Sequence, residues 1–278
     1  MSLTALKNTQ RAWADRTGHA VDAAGYVSEI AMNLLVPLCD DSLQNFLRGS
    51  GGELKARHPG ARAKLLATHS SAALACNAFE YWRSRGWGFI EAALELPARI
   101  VSFNYEAQFP TGLEGEPPNL DVALGLSDES VWAIESKFTE PFRGTKQVSA
   151  ALKDKYFPGQ RPIWTERGLP ACGELAAALR RGDMSFRRLD APQLLKHGLG
   201  LKMSGRSFAL AYMWLDSDTA GGTEHREEID RFSQAVGAEL CFRPMSYQQF
   251  IAKLRLCAGP HHNPFFAYFA DRYGCQAR

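Results

Sequence analysis

Two short runs separated by four polar residues constrain the fold of this chain more than any other feature. Leu120-Asp121-Val122-Ala123-Leu124-Gly125-Leu126 and Val131-Trp132-Ala133-Ile134-Glu135-Ser136-Lys137-Phe138 each read as a β-strand. Ser127-Asp128-Glu129-Ser130 between them has the composition of a hairpin turn. Folding about Asp128 sets Ala123 opposite Ala133 and Asp121 opposite Glu135. Lys137 lies two residues beyond Glu135 and shares its face, because strand side chains alternate with period two. Leu120, Val122, Leu124, Leu126, Trp132, Ile134 and Phe138 fall on the other face, which is expected to be the core. The charged face is otherwise built of small residues.

Two facing carboxylates, Asp121 and Glu135, suit a hard divalent cation such as Mg²⁺, with Mn²⁺ as a substitute. The Lys137 ammonium beside them can orient a water and offset charge developing on a phosphate. For a Glu-x-Lys triplet alone a solvated salt bridge would be the better reading. The facing Asp121, its Pro117-Pro118-Asn119 lead-in and the small neighbours favour a site.

Local patterns supply the rest of the architecture. The segment 1–48 carries helical patterns, with Val27, Ile30, Leu34 and Leu35 on one side, and ends at the breaker Gly49-Ser50-Gly51-Gly52. Residues 1–49 are expected to form a helical region packed on a main domain spanning 50–278, the two making one compact unit. Ser70 or Ser71 can cap a helix running to Gly86. Ala98 to Phe109 alternates as a strand, with Ile100, Ser102, Asn104 and Glu106 on one side. Thr111 to Asn119 is a loop, and Lys153 to Pro170 has no clean period. Helices are expected over Gly173–Arg181, over Ala191–Lys202 with Pro192 in its first turn, and over Glu224–Val236. Ser207 to Leu215 reads as a buried strand, Glu239 to Arg243 as another, and a last helix starts near Ser246.

Composition agrees with a folded α/β protein. The 278 residues are 45% hydrophobic and 22% charged. No apolar run reaches the roughly 20 residues needed to span a bilayer. The start of the chain shows no signal-peptide pattern. The six cysteines are scattered without a C-x-x-C pair, so neither a zinc knuckle nor a disulfide framework is indicated, and a cytoplasmic location is expected. Net charge is only +2, but it is unevenly spread. From Lys137 to Arg206 fourteen Lys/Arg face six Asp/Glu, while the remainder has eighteen against twenty-four. Such a basic segment, with Arg187 and Arg188 inside it, can attract a polyphosphate chain or form a solvated helix face.

Pro118-Asn119-Leu120-Asp121 followed by Glu135-Ser136-Lys137 resembles the two-part signature of the PD-(D/E)xK nuclease superfamily, with extra residues between proline and aspartate. Within it the chain is similar to a bacterial group of restriction-endonuclease relatives, through His69-Ser70-Ser71-Ala72-Ala73-Leu74-Ala75-Cys76-Asn77-Ala78-Phe79 and Met245-Ser246-Tyr247-Gln248-Gln249-Phe250. The likeness covers about residues 50 to 255. It implies an α/β, restriction-endonuclease-like core: a central mixed sheet flanked by helices in the order αβββαβ, with added terminal elements. It further implies that the Ser136 carbonyl joins Asp121 and Glu135 as a metal ligand, and that Gln193 points into the site. Glu53 would be a further metal ligand from the first helical segment, a role for which Glu80 and Glu91 compete. Glu106 either shares the charged face or neutralises an arginine. The expected activity is metal-dependent hydrolysis of nucleic acid, DNA ahead of RNA, with a homodimer as one way to cut both strands. A catalytically silent nucleic-acid-binding or scaffolding module of the same fold is the alternative. A third is a non-nuclease enzyme, which would bind no divalent metal.

Other motifs fail on chemistry. Asp216-Ser217-Asp218-Thr219-Ala220-Gly221 imitates an EF-hand loop but follows an apolar strand and places Ala220 at a ligand position. His261-His262-Asn263 lacks ligand-spaced partners. The glycines from Gly49 lack the Gly-Lys-Ser/Thr order of a P-loop.

Overall fold

The hairpin forms in the expected register. In the computed structural model, which describes residues 2–49, 52–56, 58–139, 142 and 152–275, Val122 pairs with Ile134, Ala123 with Ala133 and Leu124 with Trp132, all antiparallel. Helices α1 (Leu3–Arg16), α2 (Asp40–Arg48), α3 (Ser71–Arg83) and α4 (Gly88–Leu94) precede strands β1 (Ile100–Gln108), β2 (Asn119–Leu126) and β3 (Val131–Lys137). The crossover holds α5 (Ile163–Glu166), α6 (Pro170–Arg181) and α7 (Ala191–Met203). Then come β4 (Phe208–Trp214), α8 (Ala220–Leu240), β5 (Arg243–Ser246), α9 (Tyr247–Cys257) and α10 (Asn263–Tyr273). The sheet order is β1-β2-β3-β4-β5. Its first three strands are antiparallel, and β3, β4 and β5 run parallel. This is a mixed α/β sheet of the restriction-endonuclease-like kind, with α3, the three-stranded meander, α7 and β4 in the expected order.

Both sheet faces are buried, which corrects the expectation of a single core face. Val122, Leu124, Trp132, Ile134 and Phe138 pack against α3, α4, α9 and α10. Val131, Ala133 and, against expectation, Leu120 pack with residues of the crossover and α8 on the other side. The crossover returns the chain to a parallel neighbour of β3, so its helices must cover the face bearing Glu135.

Three local expectations fail for identifiable reasons. In β1 the register shifts between Ile100 and Ser102, a bulge that breaks simple alternation. Val101 is consequently 66% exposed while Ile100, Phe103 and Tyr105 enter the same core. The strand expected near 239–243 forms later, as β5 (Arg243–Ser246), because α8 runs on to Leu240 and stops where Cys241 turns left-handed at φ 43°. The 27–35 segment forms only a short 3₁₀ turn, Ile30–Asn33. Its Asn33 side chain donates to the carbonyls of Leu65 and Ala67, tying this stretch to distant backbone.

Two caps behave as their chemistry dictates. Ser70 accepts from the Ala73 N–H at the start of α3. Ser246 and Gln249 form a reciprocal capping box on α9. The N-terminal helix meets the C-terminal one: Gln10 Nε2 donates to the Arg272 carbonyl at 2.8 Å, and Leu6 joins the α3-side core. Among the described residues no helix is long and apolar enough to cross a membrane.

Candidate active site

Asp121 and Glu135 end neighbouring stretches of the meander, where the ladder gives way to a side-chain contact. The last ladder pair joins Val122 with Ile134. Beyond it, Asp121 Oδ2 accepts the Ser136 N–H at 2.6 Å. That bond fixes the aspartate against β3 and uses a donor the strand would otherwise leave open. The Ser136 hydroxyl points to the opposite face and meets Tyr247 Oη, at the first turn of α9, at 2.6 Å. Ser136 is therefore clamped from both sides of the sheet.

Lys137 Nζ lies 2.6 Å from Glu135 Oε1 and donates to Gln193 Oε1 at 3.0 Å. Gln193 stands in the first turn of α7, where the Asp190 side chain caps its backbone N–H. One turn later, His197 Nε2 is 3.0 Å from Glu135 Oε2, within ion-pair reach but out of line for a hydrogen bond. Both side chains are deeply buried. Position 200 explains how α7 comes so close. A Cβ there would stand 2.3 Å from the Phe109 carbonyl oxygen, so only glycine permits this approach.

Electrostatics separate the two central acids. Burial raises the Glu135 pKa, but Lys137 and His197 outweigh it and bring the carboxyl down to about 2. Asp121 goes the other way: burial and the nearby Glu135 carboxylate raise it well above the usual range, against the opposing pull of Lys137. One carboxyl is thus strongly ionised while its neighbour resists a second negative charge.

Glu106 and Glu53 extend this acidic field. The β1–β2 ladder pairs Tyr105 with Val122 and Ala107 with Leu120, so Glu106 lies across from Asp121. Its backbone is left-handed, φ 51°, within a strand. Burial, then the Glu53 charge, raise its pKa to about 7, although Asn119 Nδ2 donates to it at 2.6 Å. Glu106 therefore shares the charged face. Glu53 is buried, with Oε1 on Lys64 at 2.8 Å and Oε2 without a hydrogen-bond partner. Its competitors are occupied elsewhere: Glu80 accepts from Cys39 N–H and the Ser42 hydroxyl, and Glu91 accepts from the Ile100 N–H.

The two arginines lie apart from this cluster. Arg188 Nε donates to Glu224 Oε2 at 2.7 Å, and Arg187 Nη1 is 3.5 Å from Glu224 Oε1. Their backbone N–H groups bind the buried Glu228 carboxylate. Arg188 is thus a tie between the crossover and α8, whereas Arg187 keeps 78% of its side chain exposed. Part of the basic surplus, 143–151, lies outside the described residues.

A family model described as "Restriction Endonuclease associating with ARP" matches residues 49–274. The chain belongs to that family. The match includes every residue of the acidic and basic cluster above. No curated protein and no solved structure matches the chain.

Sequence reasoning missed His197 as part of the site and left Glu106 undecided. His197 follows Gln193 by four residues, the spacing that puts two side chains on one helix face. Glu106 could have been placed opposite Asp121 only by knowing the register that follows the β1 bulge.

Proposed function

We propose that this protein is a metal-dependent nuclease hydrolysing phosphodiester bonds in nucleic acid, DNA ahead of RNA. The observation that carries the reading is the Lys137 ammonium, held between Glu135 and Gln193 next to a backbone-locked Asp121. Two acids and a lysine so placed resemble the two-part signature of the PD-(D/E)xK nucleases, here with glutamine and histidine supports.

The donor set fits a divalent cation. Asp121, Glu135 and the Ser136 carbonyl are all hard oxygen donors. The mutual repulsion that raises Asp121 is a charge excess that a cation would offset. Among the described residues no three His, Cys, Asp or Glu side chains are gathered closely enough to hold an ion. Mg²⁺ suits a pair of carboxylates, because it binds through one or two of them and keeps several waters. Glu53 keeps an unpartnered Oε2 but is not gathered with Asp121 and Glu135, so it would join them only through a bridging water. Mg²⁺, or Mn²⁺ in its place, would supply Lewis-acid stabilisation of the phosphate and a more acidic water.

The chain's own residues do the positioning. Gln193 holds the Lys137 ammonium near the two acids, where it can hydrogen-bond an attacking water and a phosphate oxygen gaining charge. His197 backs Glu135 from the buried side and limits its rotation. The same residues favour the silent-module reading on one point: Lys137 bonds directly to a Glu135 oxygen that a metal would use. The family's printed name also brings association with a partner called ARP into the proposal, alongside a cytoplasmic location and a homodimer.

The deciding experiment combines calorimetry with cleavage. The unmodified chain should bind Mn²⁺ and cut DNA only with divalent metal present, and Asp121→Asn should lose both. Full metal affinity in Asp121→Asn would remove the metal assignment, and absence of cleavage by the metal-loaded chain would favour the silent module.

A further inference from the structure

Beside the catalytic cluster, α7 and the 111–118 loop bound a second group of cations. Lys196 follows Gln193 by three residues, about 5–6 Å between Cβ atoms on a helix. Its Nζ is 5.8 Å from the centre of the Tyr156 ring, and Lys155 Nζ is 5.3 Å from the same centre. Lys155 also donates to the carbonyl of Glu114, in the loop that leads into β2 and Asp121. That loop lies along α7, with Met203 Cε 3.7 Å from where a Cβ on Gly112 would stand. The two lysines therefore converge on one aromatic ring, one helical step from the Gln193 that holds Lys137.

Their charge is poorly compensated. Among the described residues none of Lys153, Lys155 and Lys196 forms an ion pair with a carboxylate, in contrast to Arg188. Lys155 and Lys196 are nonetheless half-buried. Burial pulls the Lys196 pKa down, Asp190 opposes this, and Lys155 and Lys153 pull it down further. Half-buried like charges gathered around one ring raise each other's energy, and an anion between them would reverse the sign of that interaction.

We propose that Lys155 and Lys196, with Lys153 at the rim, form a phosphate site for the nucleic-acid backbone linkage next to the one attacked at Lys137. The inference rests on the nuclease reading for the identity of its ligand. It assigns the main backbone contact to these lysines instead of to Arg188, whose charge Glu224 meets, or to the exposed Arg187 beside it, both of which lie apart from the acidic cluster. The site carries no sequence information, since phosphate contacts set register without reading bases.

The test uses oligonucleotides with a single uncharged methylphosphonate linkage, moved stepwise around the cleavage position. Binding is measured on the full chain with Mg²⁺ in a Lys137→Ala background, so that substrate is held and not consumed. With Lys155 and Lys196 present, one neutral linkage beside the attacked one should lower affinity about fivefold or more. With Lys155→Met and Lys196→Met, which keep the aliphatic stems, the same linkage should cost less than about twofold. The slope of log affinity against log salt should flatten by about 0.7–0.9. Arginine at both positions should restore the penalty, which separates loss of charge from misfolding. An equal penalty with and without the lysines, or an unchanged slope, overturns the site even if the unmodified chain cuts DNA. In a chain that cuts nothing, a lysine-dependent penalty at any one linkage of the scanned oligonucleotide sustains the phosphate site and removes the nuclease reading instead.

Discussion

Glu106 shows how one residue can be costly to the fold and still occupy a defined place. It adopts φ 51°, a conformation that L side chains rarely use, and carries a carboxyl whose pKa is raised from 4.5 to about 7. The folded state therefore holds a proton that the unfolded state releases at lower pH. Its contribution is most favourable below about 4.5 and declines as pH rises through 7, opposite in sense to Glu135, whose depressed pKa loses stability as pH falls from 4.5 toward 2. Glu106→Gln keeps an acceptor for Asn119 and removes the titration. In the metal-free protein it should stabilise at pH 8 by up to about 3 kcal/mol, on the scale of 1.36 kcal/mol per pKa unit, and have almost no effect at pH 4.5. Urea unfolding at the two pH values measures this directly. An equal effect at both would mean that Glu106 ionises normally in the fold.

At the scale of elements, α7 is the part that turns a meander into a site. It delivers Gln193 to Lys137 and His197 to Glu135 from one helix face. Its approach depends on two glycines with different neighbours. A Cβ at position 200 would meet the backbone carbonyl of Phe109 at 2.3 Å, whereas one at 198 would meet the flexible end of Leu240 at 2.4 Å. Gly200→Ala should therefore cost about 1–3 kcal/mol, as overpacking does. It should also lower turnover at least tenfold, because α7 must shift as a body. Gly198→Ala should cost less, since a leucine can change rotamer. Thermal unfolding and single-turnover cleavage of the two variants compare these outcomes, and equal losses would contradict the dependence on α7 placement.

At the scale of the molecule, Arg272 joins the two ends of the chain. It is 1% exposed, donates to the Asn33 carbonyl at 2.8 Å and to Gln10 Oε1 and the Thr68 carbonyl at 3.2 Å, and lies 4.1 Å from the Trp13 ring centre. No carboxylate pairs with it among the described residues; carbonyls and aromatic faces take that part. Arg272→Met keeps much of the volume but strands several buried acceptors, and should destabilise by at least about 3 kcal/mol. Denaturant unfolding gives that loss. Limited proteolysis should then release fragments from the first 39 residues before the sheet is cut. A variant as stable as the unmodified chain would show that the N-terminal segment is held by its apolar contacts alone.

What the sequence by itself determined is local. The hairpin register follows from a turn between two alternating runs, and the Ser70 and Ser246 caps follow from hydroxyls poised at helix starts. The order of helices and strands follows from apolar periodicity. From these, Asp121, Glu135 and Lys137 could be placed together from the chain alone, because their relation spans one hairpin. The remaining site relations cross larger sequence distances. Gln193 meets Lys137, and Glu53 acts on Glu106, only after the crossover and the N-terminal segment pack on the sheet. Tertiary structure alone decided that both sheet faces are buried, that a one-residue bulge brings Glu106 opposite Asp121, and that Arg188 spends its charge on Glu224. The physical reason is that periodicity specifies which face of an element is apolar, while burial and charge pairing depend on what covers that face.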